Sequence, residues 1–130
     1  MNPPSFLSSS LAVAIGGGFG AWLRYGVGRL IGTAGYPFPW PTLTVNLAGS
    51  LAMGLLAGWL ARHGQGGEQW RLLLGVGMLG GFTTFSAFSL ELFGMIQRGS
   101  HGMAALYAAL SVIGGVIGLF IGLGLMRVAA

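Results

Sequence analysis

A polar stretch broken by glycines, Gly77-Met78-Leu79-Gly80-Gly81-Phe82-Thr83-Thr84-Phe85-Ser86, sits in the middle of an apolar segment long enough to cross a bilayer. A membrane helix interrupted there leaves peptide groups that no water reaches. Such breaks are tolerated only where they bind an ion, line a cavity or pack on protein. The stretch therefore points to a chain that moves or holds ions.

The rest of the chain gives that stretch a membrane setting. Of 130 residues, 54% are hydrophobic and 6% charged, and the mean hydropathy is +0.79, against roughly 25% charged in soluble domains. Four apolar segments follow, Leu11 to Ile31, Thr42 to Leu60, Leu72 to Ile96 and Met103 to Met126, each near the ~20 residues a spanning helix needs. Short linkers join them at Gly32 to Pro41, Arg62 to Gln69 and Gln97 to Gly102, all rich in turn and breaker residues. The expectation is an all-α integral membrane protein, residues 1–130 forming one four-helix domain whose third helix is broken mid-membrane. Met1 to Ser10 lack the positive charge of a signal peptide, so the first segment is expected to stay in the protein. Cysteine is absent, which removes disulfides and thiolate metal sites.

Arginine counting gives no clear inside. With four crossings, Arg62, Arg71 and Arg127 fall on one side, and Arg24, Arg29 and Arg98 on the other, with no lysine to tip the balance. Insertion in both directions is expected, a single orientation set by cues other than arginine count being the alternative, and opposed copies could then pair. Four short helices leave little room for an aqueous path, so a partner surface is needed. Two ladders of small residues offer candidates, Asn46, Ser50, Gly54 and Gly58 on the second segment and Gly114, Gly118 and Gly122 on the fourth. Internal packing within one copy is the alternative use of both.

The polar residues inside the segments are few. Asn46 brings an amide to a depth where polar groups are costly; an interhelical hydrogen bond is its plainer role. Tyr107 and Ser111, four apart, put two hydroxyls on one helical face. With Thr83, Thr84 and Ser86 they make a set of neutral donors without a deep cation, as suits a path on which an anion must not be trapped. Phe85 and Phe88 follow the break; ring edges could touch an anion and ring faces a cation, a choice the sequence leaves open, and plain lipid-facing or core packing is the alternative use of both. Glu91 is the one acid inside a segment, either ion-paired with an arginine near a helix end or active in transport. His63 and His101 fall on opposite sides and cannot share a metal. With Glu68 and Glu91 as the sole acids, paired-carboxylate chemistry is unavailable and an enzyme is not expected. Gly16, Gly18 and Ala21 match a dinucleotide spacing by chance, with no strand before them.

Three ordered motifs carry a resemblance: Gly17-Gly18-Phe19-Gly20-Ala21-Trp22-Leu23-Arg24-Tyr25, Thr42-Leu43-Thr44-Val45-Asn46-Leu47-Ala48-Gly49, and Gly80 to Glu91. On these residues the chain is similar to the Fluc/CrcB family of small fluoride channels, across nearly its whole length. The resemblance implies an antiparallel, dual-topology homodimer in the cell membrane, with two pores that export fluoride passively and lower it in the cytoplasm. It also implies a structural sodium ion at the dimer interface, held by the backbone carbonyls of Gly80 and Thr83. Carried over by position, Asn46 is an amide donor at a pathway mouth and Phe85 and Phe88 line the route. Thr84 and Ser86 belong to the break, Tyr107 and Ser111 to a hydroxyl track, and Arg24 to a vestibule. Gly115 departs from that track and Pro41 from a glycine before the second motif. The implied partners are fluoride, a second copy and the lipid bilayer, with no nucleic acid.

Two other classes compete. A small proton-coupled multidrug exporter is also a four-helix chain, but needs a titratable carboxylate in the bundle; its relatives place one in the first helix, where this chain has none. An accessory subunit of a larger membrane complex would carry no flux by itself.

Overall fold

The structure is a computed structural model that describes residues 3–32 and 37–129, the Gln65 side chain excepted; part of the linker expected at Gly32 to Pro41 lies outside the described residues. The first helix, α1 (Phe6–Ile31), starts at Ser5, whose hydroxyl oxygen accepts from the Ser8 backbone N–H at 3.1 Å and satisfies a donor that helix starts leave unpaired. It stops at Gly32, where φ is 72°, a conformation side chains disfavour. Helix α2 (Trp40–His63) has Pro41 in its first turn, where a missing N–H leaves no bond unmade. A 3₁₀ turn over Gly64–Gly67 leads into a third span, Glu68–Gln97, whose last part is the regular helix α3 (Phe85–Gln97). Gly99, at φ 76°, closes α3: its N–H and that of Ser100 bond back to Ile96 and Met95 carbonyls at 3.0 and 2.9 Å. Helix α4 (His101–Val128) completes the chain.

All four spans are long and apolar enough to cross a membrane. Each outruns the apolar core read from the sequence, because capping residues lie beyond the hydrophobic run. One element was not anticipated. Over Arg71–Leu79 the third span is wound as a π-helix, nine residues long, where such winding is ordinarily a single turn and often marks functional sites.

Glycines decide how closely the helices meet. Against α1 the π-wound stretch and the turn after it come into backbone contact: a Cβ on Gly16 would enter the Leu73 carbonyl oxygen, one on Gly20 the Met78 carbonyl, and one on Gly81 the Gly17 carbonyl. Helices α2 and α4 run parallel through a second seam. A Cβ on Gly54 would strike the Leu119 carbonyl, one on Gly58 the Met126 side chain at 2.6 Å, one on Gly114 the Leu47 side chain at 2.9 Å, and one on Gly122 the Leu51 carbonyl. The ladders offered above to a second copy are thus largely taken up inside one chain, which corrects that expectation: the same close-packing chemistry serves an internal seam. A buried cluster of Leu43, Phe88, Met95, Ala104 and Tyr107 ties α2, α3 and α4 together at the end where α4 begins.

Candidate functional site

Helical backbone ends at Phe82 and resumes at Phe85. Thr83 (φ −85°, ψ 157°) and Thr84 (φ −148°, ψ 121°) between them are extended. The pair Gly80-Gly81 holds a helix poorly, and Thr84 is a good helix start: its Oγ1 accepts from the Ala87 N–H at 3.1 Å. The interruption is then a question of where each peptide group finds a partner. The Thr83 N–H and its hydroxyl both donate to the Leu79 carbonyl, at 3.0 and 2.9 Å. Thr84 is served from α2. The Thr84 N–H donates to Asn46 Oδ1 at 2.7 Å, and Asn46 Nδ2 donates to the Thr84 carbonyl at 3.0 Å. One side-chain amide thus pairs with both faces of one peptide residue, as a neighbouring strand would. On the α1 side, Arg24 Nε donates to the Gly81 carbonyl at 3.2 Å. Gly49 lets α2 come this near, since a Cβ there would enter the Thr83 methyl.

Beside the break lies an open groove of about 310 Å³. Asn46, Thr83, Thr84, Phe85, Phe88 and Ser111 line it together with Gly49, Ser50 and apolar residues of α2 and α4. Phe85 and Phe88 stand with ring centroids 5.7 Å apart and tilted by 42°. Their surroundings differ sharply. Phe88 is 8% exposed and belongs to the core, whereas Phe85 is 79% exposed on the rim. Among the described residues none bonds the buried Ser111 hydroxyl in this wall, a condition that asks for a polar occupant nearby. Asn46 still has a donor in hand, because an amide nitrogen carries two hydrogens and Thr84 takes one.

Glu91 faces another set of groups. Its Oε1 accepts from the Thr42 hydroxyl at 2.5 Å and its Oε2 from the Tyr107 hydroxyl at 2.9 Å. Tyr107 is 0% exposed, its ring held edge-on by Phe38 at 5.3 Å and against Phe88 at 5.0 Å. The plainer expectation for Glu91, an ion pair with an arginine, is corrected: among the described residues the recorded ion pair is Arg71 with Glu68, at 2.9 Å. Arg98 shares a cleft of about 300 Å³ with Glu91 without pairing to it. Two hydroxyl donors hold the carboxylate instead.

Of the residues singled out from the sequence, Asn46, Thr83, Thr84, Phe85, Phe88 and Ser111 meet in one groove. Tyr107 does not line it, being turned to Glu91. Ser86 is exposed, 3.4 Å from the Thr84 hydroxyl. Arg24 lines a smaller cavity of about 160 Å³ that reaches Thr42, Thr84 and Ala87 from the α1 side. Sodium would need oxygen ligands. Gly80 is exposed with no side chain over its backbone, and extended Thr83 turns its carbonyl away from the helical ladder; carbonyl oxygen is the ligand type a hard cation takes. Thr42 and Gly49 were missed. Thr42 opens the second motif and gave a signal as a hydroxyl one helical turn before Asn46; Gly49 gave none beyond its small size.

The chain matches, over residues 11–123, the profile of a family described as CrcB-like protein, camphor resistance. It is 60% identical to a protein of Novosphingobium aromaticivorans named fluoride-specific ion channel FluC, over 93% of this chain and 98% of that one. Proteins with the same name from Hyphomonas neptunium and Erythrobacter litoralis are 55% and 52% identical, over 93% and 98% of this chain and 97% of each relative. The chain belongs to the CrcB-like family.

Proposed function

We propose that this CrcB-like chain is a fluoride-specific channel subunit, not an enzyme, which lets fluoride leave the cell down its gradient and so keeps cytoplasmic fluoride low. The name carried by relatives that match it nearly end to end supports the ion. The single structural observation behind the reading is the groove in which the helix interruption, two phenylalanines and an unpartnered buried hydroxyl meet. Every polar group there is neutral: the spare Asn46 N–H, the Ser111 hydroxyl and the threonines. Neutral donors bind a small anion weakly enough to release it, and phenylalanine edges add positive potential without a fixed charge. Arg24, on the α1 side, raises anion concentration near the break.

The working unit in this reading is an antiparallel homodimer in the cell membrane, inserted in both directions, with one pore per groove. Exposed Phe85 and the open side of the groove favour a second copy as the missing wall. The interruption then lies at mid-membrane depth, and the carbonyls of Gly80 and Thr83, with their counterparts in the second copy, would hold one structural sodium ion. Bound there, sodium would offset the negative ends of those carbonyl dipoles; the side chains of the groove do the anion handling.

Purified protein in liposomes, loaded with fluoride and followed by a fluoride electrode, tests this. Rapid fluoride efflux without a proton gradient is expected, with little chloride efflux and strong loss on Phe88→Ile. The relatives' names give no support to the exporter alternative. Flux that demands a pH gradient and vanishes on Glu91→Gln would restore it, and absence of all flux would leave an accessory subunit.

A further inference from the structure

At the end of the bundle where α2 and α4 finish, an apolar groove of about 440 Å³ opens between them and the third span, lined by Leu55, Leu56, Trp59, Trp70, Leu74 and Met126. Trp59 and Trp70 stand edge to face there, centroids 6.2 Å apart, and rings of this amphipathic type collect at the membrane–water boundary. Exposed arginines neighbour three of the lining residues along the chain: Arg62 one turn after Trp59, Arg71 next to Trp70, and Arg127 next to Met126. Their charge is only partly offset. Glu68 is taken by Arg71 at 2.9 Å, and the chain's other acid, Glu91, is held by Thr42 at the opposite end. The carbonyl ends of α2 and α4 contribute about half a negative charge each and the amino end of the third span about half a positive one, which leaves the balance here positive.

An apolar slot opening beneath net positive charge is complementary to a phospholipid with an anionic headgroup. We propose that this groove binds one acyl chain of an anionic phospholipid, whose phosphate is held by Arg62 and Arg127. The site is separate from the groove beside the break and does not depend on the fluoride reading. Anionic lipid would favour it over neutral lipid by roughly tenfold, from the gain that basic residues near a charged leaflet provide.

The test uses a Trp22→Phe/Trp40→Phe protein, which leaves Trp59 and Trp70 as reporters, reconstituted in mixed phosphatidylcholine and phosphatidylglycerol vesicles. Bromine is placed on the acyl chains of one lipid or the other at equal bromine content. Brominated phosphatidylglycerol is expected to quench the tryptophans several-fold more strongly, unbrominated phosphatidylglycerol to relieve that quenching, and Arg62→Gln/Arg127→Gln to abolish the difference. Equal quenching by both lipids, or a preference that survives the double arginine change, would overturn the headgroup contact. No quenching by either lipid, as when a second copy covers the groove, would overturn lipid binding altogether. Because the signal is fluorescence, its failure leaves the flux result untouched, and the reverse also holds.

Discussion

Asn46→Ala removes both bonds that α2 extends to the helix interruption, and their losses are unequal. The Thr84 N–H, bonded to Asn46 Oδ1 at 2.7 Å, is left without that acceptor, at a cost of about 1–3 kcal/mol for a buried donor. The Thr84 carbonyl, bonded by Nδ2 at 3.0 Å, is less exposed to loss, since a residue that starts a helix already gives its carbonyl to the first helical bond. That second bond is worth about 0.5–1.5 kcal/mol. The adjoining groove admits solvent and pulls the total toward the lower end, about 2 kcal/mol, or roughly 30-fold in the opening equilibrium. Hydrogen exchange followed by mass spectrometry on the 79–88 segment reads this directly: the Thr84 amide should exchange roughly 30-fold faster while the α2–α4 seam keeps its protection. Asn46→Asp sharpens the test, because it retains the acceptor for the Thr84 N–H yet sets a negative charge beside an anion path. It should protect that amide better than alanine does and still abolish fluoride flux. Exchange in Asn46→Ala within threefold of the unaltered protein would show that α2 does not hold the interruption.

Gly20→Ala should lower thermal stability by about 1–3 kcal/mol, because its methyl enters the Met78 carbonyl, whereas Gly18→Ala, with nothing near its Cβ, should be neutral or stabilising by up to about 1 kcal/mol; melting curves in detergent compare the two. Thr42→Val and Tyr107→Phe each remove one donor from Glu91, and a double-mutant cycle between them should show non-additive destabilisation of about 0.5–3 kcal/mol. Additive losses would mean that the two hydroxyls act on the carboxylate independently.

The four spans were legible because bilayer thickness writes itself into segment length, and the extended pair Thr83 and Thr84 falls within the stretch where glycines and threonines stand out against Leu and Val. Asn46 was legible as a costly buried amide. Its partner was not, since Thr84 is met across two helices and no local pattern says which peptide group an amide will face. Glu91 misled for a related reason: with arginines near the helix ends an acid reads as half of an ion pair, yet Thr42 and Tyr107 reach it from α2 and α4. The small-residue ladders carry the spacing of close approach without the identity of the approaching helix. The π-wound stretch left no trace, because Leu, Val, Met and Gly sit as well in one winding as in the other; an α-helical wheel drawn through Arg71–Leu79 therefore assigns the wrong faces further along.

The contact between α1 and the π-wound stretch also bears on movement. Gly16 and Gly20 act as notches that receive the Leu73 and Met78 carbonyl oxygens. Slide α1 by one turn, about 5.4 Å, and the residue brought to a notch is Arg24 in one direction or Ala12 in the other. Neither fits, so the two rods are keyed to a single register. A transport cycle built on helices ratcheting past each other has no second resting position at this joint, whereas a fixed passage asks for none.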